Sequence, residues 1–328
     1  MTFRLSVLVL ALSLLTVSGF AQPQGSPDEQ KAAQAIAAAP DAAKKLKAGE
    51  DFIKKYPKSK MRAQIARDLS NQIGAVSDPA QKVTLAQEFQ QAFTDVSEQE
   101  MIVPVAIEGL TQAQRIDEAF TAGSAFLAKN PDSIEVLIEL LSTGAEQAKA
   151  KNPKYATQSL QYGKHAIELI DAGKKPTDID DAAWTKYKTE TVPSLYQSIG
   201  LLSLVTGDHA QAVANYTKAS ELAPADAFNV LMLAGLLNDD YQAQAKKYQG
   251  MPNGAAKDEE LKKTQALMDK VIDSYARAVA LSENNAAYAN VRQQYLQDLE
   301  SYYKYRHNGS TAGMQELINK YKPLKLTP

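Results

Sequence analysis

Prolines in this chain sit beside residues that start helices. Ala39-Pro40-Asp41, Asn130-Pro131-Asp132 and Lys175-Pro176-Thr177 each set a residue that cannot continue a helix next to one that caps a new one. Similar breaks fall at Tyr56-Pro57-Lys58, Ser77-Asp78-Pro79, Asn152-Pro153, Gly207-Asp208, Pro224-Ala225-Asp226 and His307-Asn308-Gly309. Between breaks, apolar residues recur at three- and four-residue spacing in segments rich in Ala, Leu, Lys, Gln and Glu, all strong helix formers. Alternating strand runs joined by hairpin signals do not occur. The pattern predicts an all-α chain of about fourteen helices, joined tightly into antiparallel hairpins.

The chain also repeats itself. Ala48-Gly49-Glu50-Asp51-Phe52-Ile53-Lys54-Lys55-Tyr56-Pro57-Lys58-Ser59 returns 74 residues later as Ala122-Gly123-Ser124-Ala125-Phe126-Leu127-Ala128-Lys129-Asn130-Pro131-Asp132-Ser133. Half that offset is close to the ~34-residue period of helix-turn-helix repeats. Glycine lets two helix backbones approach, the phenylalanine fills the seam, and the proline ends the helix.

Residues 193–224 carry the strongest pattern. Tyr196, Ile199 and Gly200 lie on a first helix, Gly207-Asp208 makes a turn, Ala212, Tyr216 and Ala219 lie on a second, and Pro224 closes the unit. This resembles a tetratricopeptide repeat, with Ser203 standing where that pattern has tyrosine. A second unit follows from Ala227. It has Val230, Leu233, Ala234 and Leu237 on one helix and Val271, Tyr275 and Ala278 on the other, an insertion near 242–260 between them, and Glu283 in place of the closing proline. Residues 284–306 and 311–321 read as helices that cap the stack, with Tyr288, Tyr295 and Tyr302 on one face. The expected organisation is a degenerate helical-repeat region over 29–190, repeats over 191–283 and capping helices over 284–328.

Residues 1–21 read as a cleaved secretory signal peptide: Arg4, an apolar run from Leu5 to Val17, then small residues before Ala21. Residues 22–28 read as a flexible leader. No later segment is apolar enough to span a bilayer, so the expected product is exported, periplasmic or secreted. With 45% hydrophobic residues the chain can build a packed core, and a net charge of −2 argues against a nucleic-acid partner.

The inventory for chemistry is thin. The chain has no cysteine and only His165, His209 and His307, none with a second ligand at metal-binding spacing. Asp178-Ile179-Asp180-Asp181 lacks the glycine and glutamate of a calcium loop, since Ala183 and Thr189 stand in those places. The acids read instead as the first turn of a helix capped by Thr177. There is no nucleophile elbow, phosphate loop or dinucleotide fingerprint. No catalysis, metal or cofactor is expected. Tyr302, Tyr303, Lys304, Tyr305, Arg306 and His307 form the one aromatic and basic cluster, and read as a helix C-terminus whose cations suit the dipole and whose tyrosines cover the core.

In the repeat family, the first helix of each hairpin lines a concave groove that takes peptides or helices. The resemblance therefore implies a binding scaffold for a protein or peptide partner, with groove candidates Ser194, Gln197, Leu201, Val205, Phe228, Leu231 and Asn238. The alternative is that another helix of the same chain covers these residues. Family members that clamp a C-terminal carboxylate present Lys and Asn here, and Gln197 and Leu201 do not match that set. Ala48–Ser59 is also similar to repeats of an outer-membrane assembly lipoprotein, although the lipidated cysteine is missing. A structural role in an envelope assembly complex is thus an alternative. Glycan or cell-wall binding through Trp184 and the Tyr302–His307 cluster is another.

Overall fold

A computed structural model describes residues 25–175 and 179–322, and no strand occurs among them. Fourteen α-helices and two short 3-10 turns make up the described chain. It divides into two compact units, one running through Trp184 and the other beginning at Thr185.

The first unit holds α1 (Pro27–Ala38), α2 (Ala42–Lys55), α3 (Arg62–Gly74), α4 (Pro79–Ala92), α5 (Val96–Gln112), α6 (Ile116–Leu127), α7 (Ile134–Lys149) and α8 (Ala156–Asp171). Caps explain most of the starts. Asp41 accepts from the Lys44 amide at 2.8 Å and Asp78 from the Gln81 amide at 2.8 Å. Ser26 and Glu29 form a reciprocal capping box at α1. The expected leader is therefore too long: Pro27 and Asp28 are already helical, because Ser26 supplies the cap and proline at the first position costs no hydrogen bond. The signal segment lies outside the described residues.

Leu46, Phe52, Leu69, Ile73, Phe89, Phe93 and Ile102 fill one core across α2 to α5. The two related segments do the same work. A Cβ on Gly49 would press on Leu69 of α3 at 2.5 Å, and one on Gly123 would press on Leu140 of α7 at 2.7 Å.

Helix α9 (Asp181–Val205) crosses from one unit into the other and runs through Pro193 without a break. Thr177 lies outside the described residues, and the cap of α9 is Asp180, whose carboxylate accepts from the Ala183 amide at 2.8 Å. The second unit continues with α10 (His209–Leu222), α11 (Ala227–Gln249), α12 (Ala255–Leu281), α13 (Ala289–Arg306) and α14 (Met314–Lys320). Gly207, with φ of +84°, makes the turn into α10, and Asp208 caps it. The expected insertion near 242–260 is mostly helix. It lengthens α11 and α12 into one long hairpin, so that only 250–254 remain as its tip.

Candidate functional site

The feature shared by both units is the register between odd-numbered helices. The Ser70 hydroxyl on α3 donates to the Met101 carbonyl on α5 at 2.9 Å, 31 residues away. The Thr111 and Thr143 hydroxyls of α5 and α7 meet at 3.1 Å, 32 residues apart. In the second unit, Gln197 of α9 donates to the Asn229 side-chain oxygen of α11 at 2.9 Å, also 32 residues apart. Tyr295 and Tyr302 of α13 donate to the Leu231 carbonyl at 3.1 Å and to Asn238 at 2.8 Å, each 64 residues back, since the long α11–α12 hairpin lies between. Two contacts at one offset require parallel helices. In the second unit, therefore, α11 and α13 point the same way; in the first, α5 packs against both α3 and α7.

The packing signature of 193–224 is assembled as a seam between α9 and α10. Ile199, Ala212, Tyr216 and Ala219 are buried, and a Cβ on Gly200 would sit 3.0 Å from the Tyr216 ring. The Tyr216 hydroxyl is buried without a partner, and burial holds its ionisation well above the usual tyrosine range. Ser203, in place of the family's tyrosine, is buried and donates to the Ile199 carbonyl at 2.8 Å. Tyr196 is half-buried, and the exposed Pro224 offers its carbonyl to Arg277 at 3.0 Å.

The seven groove candidates divide. Ser194, Gln197 and Leu201 are half-buried on α9, and Val205 is 39% exposed at its end. Phe228 turns its ring edge to Tyr216 at 6.4 Å and belongs to the seam. Leu231 and Asn238 do not face an open groove. Leu231 is buried, and both sit beneath tyrosines of α13. The capping helix covers this part of α11 because Tyr295 and Tyr302, seven residues apart, reach the two positions seven apart on α11.

The aromatic and basic cluster is dispersed around α13. Tyr302 points at α11, Tyr303 donates to the Ala312 carbonyl at 2.9 Å, and Arg306 makes a bidentate pair with Asp269 of α12. Tyr305, at 67%, is the exposed ring among them, and Trp184 is buried. They form no common stacking platform. His165 pairs with Asp132 at 3.0 Å and His209 with Asp240 at 2.8 Å. No acid or histidine group among the described residues is spaced to hold a metal ion.

The first unit carries buried charge that sequence reading passed over. Arg62 of α3 makes a bidentate pair with the buried Glu98 of α5 at 2.6 and 2.9 Å, and Glu98 also accepts from the Asp95 amide at 3.1 Å. Lys82 of α4 is buried, reaching Glu108 at 3.2 Å and Gln112 at 3.3 Å. Glu139 of α7 is only 6% exposed. Burial first, then the nearby Glu108 and Glu146, pushes its carboxyl up to about 8, with Lys82 opposing. The signal was present: Glu139 stands between the apolar residues Val136–Ile138 and Leu140-Leu141.

No helix among the described residues is long and apolar enough to cross a membrane. Comparison with protein-family models and with curated proteins returns no match.

Proposed function

We propose that this chain is an exported helical-repeat scaffold of tetratricopeptide type, which binds a protein or peptide partner along its odd-numbered helices and performs no catalysis. The observation that carries this reading is the recurring register, 32 residues at Thr111–Thr143 and again at Gln197–Asn229. Repeated units that set one helix of each pair side by side produce a ribbon-like face, and stacks of this kind bind along such faces. In the second unit the accessible part is the α9 stretch of Ser194, Gln197, Leu201 and Val205. Export rests on the signal-like residues 1–21.

Affinity capture from the exported fraction tests it, with wild type compared against a Leu201→Glu/Val205→Glu double variant. A specific protein retained by wild type and lost from an equally helical variant supports the reading. Equal retention by both places binding elsewhere and removes the α9 face from it.

A further inference from the structure

We propose that Asn253, at the tip of the α11–α12 hairpin, is a site of spontaneous deamidation, which the fold leaves open while it protects the chain's other Asn-Gly pair, Asn308-Gly309. The reaction needs water alone and is independent of the binding face.

Asn-Gly occurs at 253–254 and at 308–309. Glycine has no side chain to hinder its amide nitrogen as it reaches back to the asparagine side chain, so the pair is suited to this chemistry. The Gly254 amide gives its proton to solvent and its nitrogen bonds to Cγ of Asn253. The Cγ–Nδ2 bond breaks, ammonia leaves with a proton from water, and a cyclic imide remains. Water then adds to one of the two imide carbonyls. Opening at Cγ gives aspartate, and opening at the main-chain carbonyl gives isoaspartate. No oxidant or reductant takes part.

The sequence treats the two pairs alike, and the structure does not. Both lie on exposed turns, and a Cβ on either glycine would meet nothing within 4 Å, so crowding does not separate them. The nucleophile does. The Gly309 amide donates to the Lys304 carbonyl at 2.7 Å, closing the end of α13, and must give up that bond before it attacks. Gly254 is the N-cap of α12, where backbone amides have no carbonyl of their own helix to meet, and its amide has no acceptor among the described residues.

The electrophile is also prepared. Lys257, one turn into α12, donates to Asn253 Oδ1 at 3.3 Å, and its ammonium stands 5.3 Å from the centre of the Tyr248 ring. A cation on this oxygen draws electrons from Cγ and meets the charge that grows there as the nitrogen adds. The product carboxylate stands one residue before the cap of α12 and one turn from Lys257, where negative charge is stabilising, so the hairpin keeps its tip.

The test holds the full chain in mildly alkaline buffer and follows the proteolytic fragments carrying positions 253 and 308 by mass spectrometry that separates aspartate from isoaspartate. A parallel sample is held unfolded in urea. In the folded chain Asn253 should convert roughly threefold to tenfold faster than Asn308, the factor one backbone hydrogen bond supplies, and both products should form. In urea the two rates should converge. Lys257→Gln of unchanged helicity should slow conversion at 253 roughly twofold and leave 308 as it was. Equal rates in the folded chain, faster conversion at 308, or the same gap in urea overturns the proposal. Aspartate without isoaspartate overturns the imide route, and an unchanged rate in Lys257→Gln overturns the part given to the ammonium.

Discussion

The Tyr295 hydroxyl occupies the space that a side chain at position 235 would need. It donates to the Leu231 carbonyl at 3.1 Å, and a Cβ on Gly235 would come within 2.8 Å of it. The absence of a side chain on α11 and the tyrosine 60 residues later on α13 are one device, which seats the C-terminal cap on the last long hairpin.

Gly235→Ala should therefore unseat Tyr295 and destabilise the second unit by about 1–3 kcal/mol, as overpacking does. Tyr295→Phe should cost only about 0.5–1.5 kcal/mol, the value of one hydrogen bond. Combined, the two changes should cost less than their sum, because phenylalanine removes the atom that alanine strikes. Denaturant melts of the three variants check this, and strict additivity would show that the two residues do not share the space.

A similar contact closes the α7–α8 hairpin. A Cβ on Gly144 would overlap the buried Ser159 side chain, whose hydroxyl donates to the Leu140 carbonyl at 2.9 Å. Gly144→Ala should destabilise the first unit by about 2–3 kcal/mol. Adding Ser159→Gly should restore part of that loss, since the small residue has only moved across the seam. Thermal melts that show no rescue would contradict the packing described for this pair.

Glu139 gives the first unit a definite pH dependence. Its carboxyl is raised in the folded chain to about 8 from an ordinary 4.5. Between those values the folded state binds the proton that the unfolded state has released, so stability falls as pH rises from about 5 to about 8 and then levels off. Glu139→Gln should flatten this slope and stabilise the unit at pH 9 by about 2–4 kcal/mol. Unfolding curves between pH 5 and 9 measure it, and a slope unchanged in the variant would mean that another group titrates.

Arg62 and Glu98 are coupled by burial. Removing the arginine leaves a buried carboxylate without its charge partner, so Arg62→Met should cost about 3 kcal/mol, while Arg62→Met/Glu98→Gln should recover much of it. A double variant no more stable than the single one would assign the loss to packing rather than to charge.

Local chemistry was the legible part of this fold. Pro-Asp and Gly-Asp junctions were readable as helix boundaries because a cap needs only its own residue and the next turn, as at Asp41 and Asp208. The Gly200–Tyr216 seam was readable because both members lie within one hairpin. The first helix of the 193–224 unit is longer than that unit, since α9 begins at Asp181 and passes through Pro193. Proline forfeits one backbone hydrogen bond, a loss that the packing of a 25-residue helix absorbs. The 242–260 stretch looked like an insertion, although helix formers flank a Gly-Met-Pro-Asn-Gly tip and simply extend both helices. Leu231 and Asn238 were misplaced because their cover comes from residues 64 positions away. No single-helix pattern contains that register, and separation along the chain likewise hid the like-charge effect of Glu108 on Glu139.

The most direct test of the odd-helix binding face is a site-specific photo-crosslinker at Val205, at the end of α9, with Leu222 at the end of α10 as the control. Both positions are exposed, at 39% and 44%, so reactivity alone does not separate them. The scaffold account predicts a discrete partner adduct from position 205 and none from 222. Adducts from 222 alone, or equally from both, would contradict it.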